Sequence, residues 1–103
     1  MTYPPSSRPA VLLIGHGTRL PAGVAEFRAL ANQLQEALPD RTCSAGFLEL
    51  TEPSVPDALE TLWEQGFRRV TALPALLMAA GHIKNDIPVI INAFQAEHPG
   101  LTI

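Results

Sequence analysis

Charged residues are scarce in this 103-residue chain. Asp, Glu, Lys and Arg together make up 17% of it, and seven Lys and Arg against ten Asp and Glu give a net charge of −3. A chain with this balance does not attract phosphate backbones over long range, so we expect no nucleic-acid partner. Low charge combined with 47% hydrophobic residues also argues against disorder. The composition therefore indicates a globular domain.

Cysteine and long apolar segments are lacking as well. Cys43 is the single cysteine, so the chain forms no internal disulfide, and we expect a buried structural thiol. No segment approaches the roughly 18 apolar residues of a membrane span, and residues 1–9 carry no apolar signal core. We expect a cytoplasmic protein with no membrane partner, a flexible lead over residues 1–9 and a single domain over residues 10–103.

What the chain does have is a regular alternation of short apolar runs and segments of helical periodicity. Runs bounded by glycine are typical of buried parallel strands. The pattern predicts strands at about 10–15, 41–48 and 68–77, the start of a fourth at 101–103, and helices over 21–38, 55–66 and 83–97. Alternating strands and helices predict an α/β fold, here a three-layer parallel sheet of about four strands with helices on both faces.

A polar side chain ends or follows each of the first three predicted strands. His16 stands in a glycine-flanked turn after the first strand, Glu49 ends the second, and His82 follows the third after Gly81. Ligand sites in open α/β sheets gather beyond the carboxyl ends of the strands. We therefore expect these three side chains to converge at one edge of the sheet.

Two imidazoles and a carboxylate are suitable ligands for Co²⁺, Ni²⁺, Fe²⁺ or Zn²⁺ and would leave coordination positions open for a substrate. By spacing alone, each histidine is better explained as an ordinary loop residue, and it is the position of both after strands that favours a site. Arg19 and Lys84, each within three residues of a candidate histidine, could hold carboxylates of an acidic substrate or be solvated surface charges. His98 follows a predicted helix, where a cation favours the helix dipole, and we expect a cap or surface residue.

Three segments resemble the sirohydrochlorin chelatases, also called class II chelatases, which insert a divalent metal into a tetrapyrrole. Residues 12–19 resemble the family's His-Gly-Ser-Arg segment, with Thr18 where serine is usual. Residues 47–54 are similar to its Phe-Leu-Glu segment. The most specific match is residues 73–88, which resemble its Gly-His-x-x-x-Asp-Ile-Pro segment.

The resemblance implies a chelatase-like, flavodoxin-like topology and ATP-independent insertion of Co²⁺, Fe²⁺ or Ni²⁺ into sirohydrochlorin or a related tetrapyrrole, as in cobalamin or sirohaem synthesis. It implies that His16 and His82 handle the metal and that Glu49 lies beside them. The metal would then be a substrate, with no cofactor permanently bound. Short family members pair as homodimers and continue through a complete fourth strand and a further helix, so we expect the carboxyl-terminal strand and helix to be missing here.

Two other classes of protein are compatible with parts of the pattern. A non-catalytic metal- or tetrapyrrole-binding module would need the same ligands without turnover. A histidine phosphatase would need an Arg-His-Gly segment, and Gly15 occupies the place of the arginine that binds phosphate. Turnover with sirohydrochlorin and Co²⁺ or Fe²⁺ separates these interpretations.

Overall fold

A computed structural model describes residues 8–75 and 81–103, and for residues 81–85 it describes the backbone only. The predicted alternation of strands and helices is confirmed. The elements are β1 (Ala10–Gly15), α1 (Pro21–Ala37), β2 (Cys43–Phe47), α2 (Val55–Glu64), β3 (Val70–Pro74) and α3 (Gly81–Glu97). The flexible lead predicted over residues 1–9 lies almost wholly outside the described residues, as do the last two residues of the predicted third strand.

The three strands form one parallel sheet in the order β2-β1-β3. All six residues of the central strand β1 are buried, which is why this run is apolar on both faces. The prediction of about four strands is off by one within the described residues. In place of the predicted fourth strand, Thr102 makes a single parallel bridge to Arg69.

Helices cover the two faces of the sheet unequally. Leu12 faces α2 and α3 and shares a buried cluster with Leu59 and Phe94. On the other face lies α1, whose Phe27 ring contacts the Phe47 ring at a centroid distance of 4.9 Å. A methyl group on Gly15 would come within 2.7 Å of the Phe27 ring, so glycine is needed for this close approach.

The helix α2 carries its start and stop signals in the sequence. The Ser54 hydroxyl accepts a hydrogen bond from the Asp57 N–H at 3.2 Å, and Pro56 occupies the first turn. Gly66, predicted as the stop, has φ +100°, and its N–H donates to the Trp63 carbonyl. This left-handed residue turns the chain out of the helix, and the prediction is confirmed.

The helix α3 begins two residues earlier than predicted, at Gly81 instead of residue 83. Pro88, which suits an early turn of the predicted helix, lies inside the helix, where it has no N–H to donate. After α3 the chain returns to the amino edge of the sheet, since the Val70 N–H donates to the Thr102 carbonyl. The first turn of α3 consequently lies towards the opposite, carboxyl edge.

His98 caps the carboxyl end of α3, as predicted. Its Nδ1 donates to the Phe94 carbonyl at 2.8 Å, because a carbonyl can only accept, and its Nε2 lies 3.0 Å from a Glu60 carboxylate oxygen on α2. The ring stacks on Phe94 at a centroid distance of 3.9 Å and meets Trp63 edge-on. Nδ1 thus caps α3, while Nε2 ties the end of α3 to α2.

Cys43 is half-buried, which corrects the expectation of a buried thiol. It begins β2, and β2 is an edge strand of the described sheet, so one side stays open. Burial still raises the pKa of the Cys43 thiol, partly offset by the nearby positive charge of Arg41. Among the described residues, no helix is long and apolar enough to cross a membrane.

The buried α2 side chains should dominate stability. Leu59 is 1% exposed within the main cluster, so Leu59→Ala should lower the free energy of unfolding by about 2–5 kcal/mol. Urea unfolding measures this change. The control is Leu20→Ala, since Leu20 is 68% exposed, and a loss there equal to that at Leu59 would contradict the assignment of the core.

Candidate functional site

The structure brings His16 and Glu49 together at the carboxyl edge. His16 is the first residue after β1, and Glu49 comes two residues after β2. His16 Nε2 lies 2.8 Å from Glu49 Oε1, and the two side chains are 47% and 55% exposed. The pair is therefore accessible to a ligand from solvent, and its placement follows from two neighbouring parallel strands ending side by side.

The short contact between His16 and Glu49 constrains the protonation of the ring. An ionised carboxylate only accepts, so Nε2 carries the hydrogen, and Nδ1 of a neutral ring then keeps its lone pair. Two atoms 2.8 Å apart can also both lie about 2.0–2.2 Å from one divalent ion, the usual range for imidazole nitrogen and carboxylate oxygen. The arrangement can hold either a proton or a metal ion.

The backbone beneath this pair is closely packed. Gly17 has φ +98°, a conformation that L side chains rarely adopt, and a methyl group there would collide with the Glu49 carbonyl oxygen. The Glu49 N–H donates to the His16 carbonyl at 3.0 Å. Glycine at position 17 therefore lets the loop after β1 (residues 16–20) lie directly against the loop after β2 (residues 48–54).

A cavity of about 620 Å³ opens beside His16. Its walls come from the ends of β1 and β3 and from α1, with His16, Glu26, Phe27, Leu30 and Pro74 among the lining residues. The strand order reverses between β1 and β3, and ligands of open α/β sheets bind in the crevice at such a switch point. The volume is in the range of small-molecule sites.

Three other residues were predicted for the site: His82, Lys84 and Arg19. His82 and Lys84 lie in the first turn of α3, not in a loop before it, and their side chains are outside the described residues. Arg19 is exposed and makes no hydrogen bond or ion pair with any described residue. Within the described side chains, no group of three His, Cys, Asp or Glu residues could hold a metal ion.

Sequence reasoning missed the contribution of α1 to the site. Glu26, Phe27 and Leu30 of this helix line the cavity, and none of them is among the candidate residues predicted from the sequence. An acidic residue beside an apolar helix position is common on any amphipathic helix, so Glu26 gave no signal. The one clue was Gly15, whose missing side chain admits the Phe27 ring against β1.

A parallel α/β domain with a histidine–carboxylate pair at the carboxyl edge of its sheet, beside a cavity, has the arrangement of small-molecule or ion-handling proteins. Within that class, the chain belongs to the CbiX family, whose model matches residues 10–103. This confirms the resemblance recognised in the sequence, because the matched region holds all three of its segments.

The chain is similar to named relatives over most of its length. It is 38% identical to the sirohydrochlorin cobaltochelatase of Methanothermobacter thermautotrophicus, over 85% of this chain and 63% of that protein. It is 32% identical to the sirohydrochlorin ferrochelatase of Priestia megaterium, over 91% of this chain and 35% of that protein. The chain thus spans less than two thirds of the length of these relatives.

A solved structure agrees with the fold. The sirohydrochlorin chelatase SirB of Bacillus subtilis subspecies spizizenii, in complex with cobalt, superposes with a TM-score of 0.82 at 30% identity, covering 91% of this chain and 40% of that one. The α/β fold expected from the sequence is therefore confirmed at the level of the family.

Substitution of Gly17 should disturb the site more than substitution of a glycine with the same backbone strain. Gly100 has φ +92° with open space around it, so Gly100→Ala should cost about 1–2 kcal/mol from the backbone alone. Gly17→Ala adds the collision with Glu49 and should cost a further 1–3 kcal/mol, as at overpacked sites. Urea unfolding of both variants measures the difference, and equal losses would refute the close loop packing.

Proposed function

We propose that this chain carries the metal-insertion site of a sirohydrochlorin chelatase and exchanges a divalent ion, Co²⁺, Fe²⁺ or Ni²⁺, for two pyrrole protons of the tetrapyrrole. The 2.8 Å pair of His16 and Glu49 at the carboxyl edge of the sheet is the observation that carries this proposal. The names of the relatives, which are cobaltochelatases and ferrochelatases, support the substrate class.

Insertion requires a site that holds an ion weakly and also accepts protons. His16 Nε2 and Glu49 Oε1 share one proton in the ion-free pair. When an ion binds, the imidazole proton moves to Nδ1, so the neutral ring offers its Nε2 lone pair and Glu49 offers Oε1. When the ion passes to the macrocycle, this pair is free to receive one of the two pyrrole protons, and the other leaves to solvent. Two protein ligands leave several coordination positions open, as transfer to a substrate requires.

A second histidine would complete the site. His82 lies in the first turn of α3, which points towards the same edge of the sheet, and we propose that it supplies a further ligand or base. Arg19 and Lys84 flank the two histidines in sequence, and their cationic groups suit the acidic side chains of the tetrapyrrole. The metal is a substrate, and the proposal includes no permanently bound cofactor. The cytoplasmic location remains a prediction.

A second copy of the chain would supply a wall that one domain lacks. The register pairs Leu13 with Leu73, and both lie on the sheet face that α1 covers over β2. Leu13 is buried, whereas Leu73 is 43% exposed on this uncovered part of β3. We propose a homodimer that buries this face, which lies next to the cavity.

The decisive experiment is turnover with sirohydrochlorin and Co²⁺ or Fe²⁺, followed by absorbance. His82→Ala should lower the insertion rate by about 10²–10⁴-fold, the range for an acid–base group, while His98→Ala should change it little well below the melting temperature. Partial rescue of His82→Ala by raised metal would identify a ligand, and none at saturating metal a proton carrier. Equal rates for the two variants would refute the assignment, and binding without turnover would indicate a non-catalytic module.

Sedimentation at high micromolar concentration should show a dimer. Leu73→Glu should convert it to monomer by placing a charge on the open face, while Val89→Glu, on an exposed position of α3, should leave the dimer intact. A wild-type chain that stays monomeric would contradict the proposed assembly. A dimer insensitive to Leu73→Glu would indicate association elsewhere, such as through a strand edge.

A further inference from the structure

One hydroxyl ties together the two loops that carry His16 and Glu49. Thr51 Oγ1 accepts a hydrogen bond from the Thr18 N–H at 3.0 Å and donates one to the Thr18 carbonyl at 2.9 Å. These residues are 33 positions apart, and the contact is partly buried. A side chain that bonds both the N–H and the carbonyl of one residue restrains the position and the orientation of that residue's backbone.

The backbone on the Thr51 side of this contact is strained. Leu50 has φ +65°, in the left-handed region that costs a non-glycine residue about 1–2 kcal/mol. Its side chain is 53% exposed, so burial of leucine does not explain the conformation. The turn at Leu50 directs Glu49 to His16 and Thr51 to Thr18. Strain of this kind persists where surrounding contacts hold it, and it clusters at functional sites.

Other hydrogen bonds at these loops connect different parts of the chain. Arg28 Nη2 donates to the Glu52 carbonyl at 2.9 Å, which ties the loop after β2 to α1. The Glu49 N–H holds the His16 carbonyl but does not reach further along the loop after β1. Among the described side chains, Thr51 alone bonds across from one loop to the backbone of the other.

We propose that Thr51 is a positioning residue, whose hydroxyl holds the loop after β1 so that His16 Nε2 stays within bonding distance of Glu49. Thr51 acts through Thr18 and touches neither the ion nor the tetrapyrrole. The consequence for metal handling rests on the proposed function, since that proposal gives the histidine–carboxylate pair its role. The effect on the geometry of His16 is independent of it.

The test compares Thr51→Val, which removes the hydroxyl at nearly constant shape, with Thr51→Ser, which keeps it. Thr61→Val is the matched control, because Thr61 Oγ1 also donates to a backbone carbonyl, that of Asp57 at 3.2 Å, but far from the site on α2. Two readouts are taken on the whole chain: the ¹⁵N and ¹H signals of the His16 ring by NMR, and the affinity for Co²⁺ by titration.

Thr51→Val should displace the His16 ring signals and weaken Co²⁺ binding by about 10–100-fold, the usual effect of losing a group that orients a ligand. Thr51→Ser should restore both, and Thr61→Val should alter neither. If Thr51→Val does not fold, Thr51→Ala takes its place in the same comparison.

Unchanged His16 signals in Thr51→Val, or equal changes in Thr61→Val, would overturn the positioning role. So would Co²⁺ affinity that is the same in a binding-competent wild type and in Thr51→Val. Displaced His16 signals in a protein that binds no Co²⁺ even as wild type would support the positioning role and refute the proposed metal chemistry. The two proposals therefore fail by different results.

Discussion

The burial of β1 on both faces is the constraint on which the rest of the structure depends. A strand covered from both sides and paired along both edges has no room for polar side chains, and its six residues are all buried. Chemistry is therefore confined to the residues that follow it. His16 is the first such residue, and its side chain is exposed because it lies just beyond the end of β1.

The elements that the sequence predicted well are those whose signals are local. Apolar runs and helical spacing located three strands and three helices, and Gly66 marked the end of α2. The meeting of His16 and Glu49 was also predictable, although they are far apart in sequence. Each follows its own strand, and parallel strands carry their carboxyl ends to the same edge.

Features that depend on distant partners could not be predicted in this way. The hydrogen bonds between Thr18 and Thr51 depend on how two loops pack, and a threonine at either position does not indicate that packing. The share of α1 in the cavity, including Glu26, depends on the angle at which the helix crosses the sheet. Residues 101–103 have strand-like composition, yet they form one bridge instead of a ladder, and composition does not show which backbone groups find partners.

The uneven covering of the sheet links the stability of the folded chain to what binds its open face. Two helices close one face, while on the other α1 leaves Leu73 of β3 partly open to water. Whatever binds that open face binds the folded chain and not the unfolded one, so its binding free energy adds to that of folding by mass action. If a second copy occupies that face, as proposed, a melting temperature for this protein is defined only together with the chain concentration at which it is measured.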